Sequence, residues 1–204
     1  RDSPLVRFHD NWKEITPANM FEEKDYSWRD PNKGYTPVTN VAANMAGDYM
    51  YDTGLEEPIP FLVRLYLSRI VQLCKEHGSE LLFITVPAKS SWNLARHNGV
   101  QAFADEYGLP YIDYNLAEND PGIDWHTDTP DGGSPLNVLG AEKLSRALGV
   151  YLTEHYALPD HRGEAEYETW QTDAATYAQT METARAENQT AAEYQRGVLE
   201  GTAG

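Results

Sequence analysis

The chain has 204 residues, with 32 acidic against 16 basic side chains and a formal net charge of −16. That balance excludes nucleic acid and an anionic membrane surface as partners, because each phosphate contact wants a Lys or Arg. An apolar content of 41% over this length suits one domain, or one domain with an appendage, around a real core.

Residues 1–58 carry many turn residues and little periodicity, so they read as loop with brief helices lying over something larger. Phe8, Trp12 and Ile15 share one face of a short helix, and Pro31-Asn32-Lys33-Gly34-Tyr35 is a turn. Pro58-Ile59-Pro60 opens the first strong helix, since the N–H that proline lacks would be unsatisfied in a first turn anyway. Leu62, Leu65, Tyr66, Arg69, Ile70, Leu73 and Cys74 form its stripe, and Gly78 is its stop. Cys74 is the only cysteine, so no internal disulfide forms, and it reads as a small buried hydrophobe.

Leu81-Leu82-Phe83-Ile84-Thr85-Val86 is a continuous apolar run, the pattern of a strand buried on both faces of a parallel sheet. Pro87-Ala88-Lys89-Ser90-Ser91 leaves it as a loop, and a helix follows from about Trp92 to Tyr107. Gly108-Leu109-Pro110 turns the chain into a second short strand, Tyr111-Ile112-Asp113-Tyr114. Residues 58–115 thus read helix, strand, helix, strand, a unit of a doubly wound α/β sheet.

The stretch from Asp128 to Lys143 is a loop rich in Gly, Pro and acids that opens directly onto a helix. Such strand-to-helix edges are where α/β enzymes place chemistry. Asn137 is the expected N-cap, and Ala141, Leu144, Leu148, Tyr151, Leu152 and His155 form the stripe of a helix reaching about Tyr156. Leu158-Pro159-Asp160-His161-Arg162-Gly163 breaks the pattern, and from Glu164 to about Glu200 the composition is helical. Tyr167, Trp170, Ala174, Tyr177, Met181 and Ala184 are spaced three or four apart, but the half from Ala184 onward has little to bury. That half is expected to project, to pack on another chain or to fray. The division is 1–163 for the α/β domain and 164–204 for an acidic helical extension, through which self-association is expected.

Several segments, in order, resemble a branch of the bacterial SGNH/GDSL-type hydrolases. They are Arg7 to Thr16, Asn32-Lys33-Gly34-Tyr35, the strand from Glu80 to Pro87, Gly108 to Asn115, Asp131-Gly132-Gly133 with Leu136-Asn137 and Gly140-Ala141-Glu142-Lys143, and Leu158 to Gly163. The resemblance implies a three-layer α/β/α flavodoxin-like sandwich and hydrolysis or transfer of an ester, on a small molecule or a carbohydrate. In the family a serine attacks the carbonyl, a histidine moves the proton and an aspartate orients the histidine. Asp131 matches the acidic position. The histidine position is Pro135, which cannot take a proton, and the Gly-Asp-Ser or Gly-x-Ser nucleophile block is absent, so the likeness begins downstream of the first strand.

Two catalytic candidates follow, Asp131 and His126, the latter as a displaced base in Asp124-Trp125-His126-Thr127-Asp128. The bland reading of Asp131 is a loop cap in a Gly-rich turn. Ser90, Ser91 and Ser134 read as capping or turn residues, and His161 as packing for the extension. Asp124, His126, Asp128 and Asp131 offer ligand atoms to a hard cation, but their spacing fits no EF-hand, and neither a metal site nor a cofactor is expected. The expected function is an ester hydrolase domain with impaired or no activity, or a non-catalytic binding or scaffold module on the same fold, or a truncated gene product. No apolar run approaches the roughly 20 residues of a spanning helix; the chain starts at Arg1 without a methionine, so the lack of a signal peptide carries little weight, and the location is left unknown with the cytoplasm favoured.

Overall fold

A computed structural model of the chain describes residues 32–44 and 47–201. The helix face expected at Phe8, Trp12 and Ile15 lies outside the described residues. The described chain is mixed α/β, with a two-stranded parallel sheet, three helices of 14 to 18 residues and a longer helix at the C-terminal end.

Residues 35–44 and 47–60 form no helix or strand, so the expected loop is there without the brief helices expected among these residues, and the first strong helix opens at Phe61 rather than Pro58. Helix α1, Phe61–His77, starts behind Pro60 and stops at Gly78, whose φ of 66° is the left-handed cap that glycine takes without a Cβ penalty. Strand β1, Phe83–Thr85, pairs in parallel with β2, Tyr111–Asp113, in the register Ile84 opposite Ile112. Helix α2, Leu94–Tyr107, makes the crossover between them. Its N-cap is Asn93, whose side chain accepts the Arg96 N–H at 2.9 Å, and its C-cap is Gly108. Phe103 of α2 is buried and stacks on Phe83 at 5.7 Å, so α2 covers the sheet face that carries Phe83 and Thr85.

Three expectations change here. The Leu81–Val86 run is not buried on both faces, because Ile84 and Val86 are exposed. The α1 stripe does not face the core either: Leu62, Leu65, Tyr66, Ile70 and Leu73 are exposed, and Val71 on the other side is the buried residue. What turns inward on α1 is the more polar side. Arg64 pairs with Glu106, the Ser68 and Tyr107 hydroxyls lie 2.9 Å apart, and Lys75 sits over the Tyr107 ring. Cys74 is half-buried rather than buried.

Helix α3, Val138–His155, begins at Asn137 as its sequence predicts. A short 3₁₀ turn, Ala165–Tyr167, leads into α4, Glu168–Leu199, a helix of 32 residues. The half of α4 beyond Ala184 does have a face to bury. Met181, Ala184, Asn188 and Ala192 are all buried along it, and the cluster Val138, Met181 and Ala184 joins α4 to the start of α3. Small side chains let the helix backbone approach closely. Asn188 uses that approach to donate its side-chain N–H to the Thr39 carbonyl at 2.7 Å. Among the described residues, no helix is long and apolar enough to cross a membrane.

Candidate functional site at the C-terminal edge of the sheet

Parallel strands deliver their C-terminal ends to one edge, and there the chain continues into loops that can carry polar side chains. Past β1 the chain turns at Pro87, and past β2 it reaches Tyr114 and Asn115. Asn115 ties the two ends together. Its Oδ1 accepts the Ala88 N–H at 2.8 Å and the Tyr49 hydroxyl at 3.1 Å, while its Nδ2 donates to the Val86 carbonyl at 3.0 Å. Asp113, 1% exposed, is the most heavily bonded acid of the edge. Its Oδ1 accepts the Asn115 backbone and side-chain N–H groups at 2.9 and 2.7 Å. Its Oδ2 accepts the Trp92 indole N–H at 2.8 Å and lies 2.9 Å from His97 Nδ1. A buried carboxylate needs such partners, because stripping its water without replacement costs several kcal/mol or more.

Beside these residues lies a cavity of about 450 Å³, lined by Asp48, Tyr49, Pro87, Asn115, Glu118, Asp120 and Trp125 among others. The Tyr49 and Trp125 rings meet edge-to-face at 5.8 Å. Burial, with Asp113 next, pushes the Tyr49 hydroxyl above its ordinary value. Asp113, Asn115 and Tyr49 were not singled out by sequence. The available signal was Asp113-Tyr114-Asn115 directly after an apolar strand.

The Gly-rich loop runs alongside residues 38–44. Backbone bonds join Asn44 to Trp125, Ala42 to Thr129 and Val138 to Val38, all within 2.9 Å. Within the loop each acidic side chain has its own employment. Asp128, 1% exposed, accepts the Asp124 backbone N–H at 2.8 Å and Lys143 Nζ at 2.6 Å. Asp131 is exposed and turns into its own turn, where Oδ1 accepts the Gly133 and Ser134 N–H groups at 3.1 and 3.0 Å and the Thr129 hydroxyl at 3.2 Å. Gly132 and Gly133 adopt φ of 87° and 115°, values that favour glycine and allow the carboxylate to meet both N–H groups. Pro135 is exposed beyond that turn.

His126 is half exposed and pairs with Asp124, not Asp131: its Nδ1 lies 2.9 Å from Asp124 Oδ1. Burial alone would raise the Asp124 carboxyl, but the His126 backbone and ring bonds outweigh it and hold the carboxyl below its ordinary range. The hydroxyl next to this histidine, on Thr127, donates to Asp128 Oδ1 at 3.1 Å. His126 faces a second cavity of about 310 Å³, closed by Arg196, Leu199 and Glu200 from the end of α4. Ser90 and Ser91 lie in the turn after β1, where the Ser90 N–H donates to the Gly133 carbonyl at 3.0 Å. His161 stacks on Tyr167 at 4.4 Å and bonds Glu164, inside the join between α3 and α4.

Asp124 and His126 thus pair with each other while the Asp128 side chain takes Lys143 and Asp131 takes its own turn, and among the described residues no group of three His, Cys, Asp or Glu side chains is arranged to hold a metal ion. Comparison with protein-family models, with curated proteins and with solved structures found no match.

Proposed function

We propose that the chain is an SGNH/GDSL-hydrolase-like domain, of the three-layer α/β/α flavodoxin-like kind, that holds a small polar ligand and does not itself turn over esters. One observation carries the reading. Where the resemblance expects an aspartate presented to a histidine, the Asp131 carboxylate is bonded to its own turn and the histidine position is Pro135. Nucleophile and base act as a unit, so a site without its base loses most of its rate. The parallel β1–α2–β2 crossover supports the fold assignment. The cavity at the strand ends supports the ligand-holding role. Tyr49 and Trp125 offer ring faces, and Asp48, Glu118, Asp120 and Asn115 offer hydrogen-bond partners, a lining suited to a hydroxyl-rich neutral molecule such as a sugar or sugar ester. Its carboxylates disfavour an anion.

A second reading, an ester hydrolase with His126 as base, is favoured by the Asp124–His126 pair, since a carboxylate on Nδ1 is how a catalytic imidazole is oriented. Labelling with a fluorophosphonate probe, read by intact mass and peptide mapping, separates the two. The expected result is a folded chain, shown by a cooperative thermal transition, with no labelled serine. A single labelled serine whose labelling disappears in His126→Ala overturns the non-catalytic reading and establishes the second.

A further inference from the structure

We propose that the cavity between α3, α4 and the turn at residues 32–35 binds a small organic carboxylate, with Arg146 taking the acidic group and the rings of Trp170 and Tyr177 holding a flat apolar body. The space follows from side-chain size. Ala141 and Ser145 line it from α3 and Ala174 from α4, and none of them is long enough to fill the gap between the rings beside them. What remains is a cavity of about 830 Å³, within the ~300–1,000 Å³ of sites that take a small organic ligand. It shares no lining residue with the cavity at the strand ends. On one side it meets the packed cluster, where Met181 is 1% exposed. Tyr35 and Tyr177 meet edge-to-face there at 6.1 Å. Trp170 stays 58% exposed although Lys33 Nζ lies 4.5 Å from its ring centroid.

Charge decides the class of ligand. The lining carries Lys33, Arg146 and Arg185 against Glu142 and Asp173. Lys33 pairs with Asp173, and Arg185 Nε donates to Glu142 Oε1 at 2.6 Å. Arg146 is left over: among the described residues its side chain has no ion pair and no hydrogen bond. A guanidinium presents its N–H groups in a planar fork that matches a carboxylate, so a carboxylate meets Arg146 better than a neutral oxygen does. One cation in excess gives this cavity the opposite sign to a chain that carries −16 in total. The repulsion from the rest of the chain is screened over ~8 Å at 0.15 M salt, and a contact with Arg146 acts inside that range. The strand-end cavity differs in sign, since Asp48, Glu118 and Asp120 line it without a Lys or Arg. The two cavities therefore select ligands of different charge.

The test titrates the full chain, labelled with nitrogen-15, with 1-naphthaleneacetate and with 1-naphthaleneacetamide in 0.15 M salt. The two probes share a ring and differ in charge. The Trp170 indole N–H signal, assigned by its loss in Trp170→Phe, reports this cavity, and the Trp125 indole N–H reports the strand-end cavity. The acetate is expected to shift the Trp170 signal to saturation, to leave the Trp125 signal in place, and to bind at least about fivefold more tightly than the acetamide. Arg146→Gln removes only an exposed, unbonded charge, so the fold stays intact. It is expected to abolish the preference for the acetate and to leave acetamide binding unchanged. A Trp170 signal that neither probe moves at millimolar concentration overturns the proposal. So does an acetamide that binds as tightly as the acetate, or a preference that survives Arg146→Gln, because Arg146 then selects nothing.

Discussion

Asn137 shows how much one side chain does in this loop. It has no solvent exposure. Its Oδ1 accepts the Leu139 and Gly140 N–H groups at 3.2 and 3.3 Å, so it caps α3. Its Nδ2 donates to the Thr127 carbonyl at 2.7 Å and the Asn40 carbonyl at 3.1 Å, so it also ties the loop and the segment running beside it to that cap. Asn137→Ala removes both functions. The lost cap costs ~1 kcal/mol, and the buried Thr127 carbonyl left without its donor adds ~1–3 kcal/mol. The expected total is about 2–4 kcal/mol in a urea unfolding series. Asn137→Asp separates the two contributions, because a carboxylate still caps but cannot donate to a carbonyl. The Asp variant keeps the cap but loses the tie, so it is expected to cost at least the ~1–3 kcal/mol of the Thr127 contact, and more because its buried carboxylate faces the Thr127 and Asn40 carbonyl oxygens. Gly140 follows three residues later for a related reason. A Cβ there would lie 2.6 Å from the Asp128 carbonyl oxygen, so the first turn of α3 and the loop touch through bare backbone.

At the scale of elements, local rules were readable and long-range ones were not. The N-cap at Asn137 and the stops at Gly78 and Gly108 depend on a few adjacent residues, and each lies where its sequence placed it. The Leu62–Leu73 stripe was also legible as a helix face. Which neighbour would meet it was not, because periodicity reports amphipathicity and not the partner, and here α2 meets the side carrying Arg64, Ser68 and Val71. Asp113 was hidden for the same cause, its partners Trp92 and His97 lying 21 and 16 residues upstream. Asp131 could be read as cap or catalyst from sequence, and its hydrogen bonds are those of a cap. The second half of α4 misled because alanines give a weak apolar signal, yet they are what a close helix approach requires. That reason yields a prediction. Ala184 is 4% exposed against Val138 and Met181, so Ala184→Leu overfills the contact and is expected to cost about 1–3 kcal/mol. Ala186→Leu, on the exposed side two residues on, is expected to stay within ~0.5 kcal/mol. Urea unfolding of the pair checks the contrast. Equal effects would mean that the helix does not rest on this stripe.

For the whole molecule, the net charge of −16 and the apolar α1 face act in opposite directions. Charge of one sign keeps copies apart and strains each folded copy by self-repulsion. The α1 stripe draws copies together, and among its residues only Arg69 is charged. Salt decides between the two. At 0.01 M ionic strength the field of a copy reaches ~30 Å, and at 0.1 M ~10 Å, so screening removes the repulsion first. Burial of apolar area is not weakened by screening. Any self-association through the exposed α1 face is therefore expected to strengthen as sodium chloride rises through this range, and the thermal midpoint of the chain is expected to rise with it. An interface built on ion pairs responds with the opposite sign, because its attraction is what salt screens. Sedimentation velocity across a salt series reads that sign directly. A dimer that dissociates with added salt would locate the contact on surface that pairs opposite charges instead.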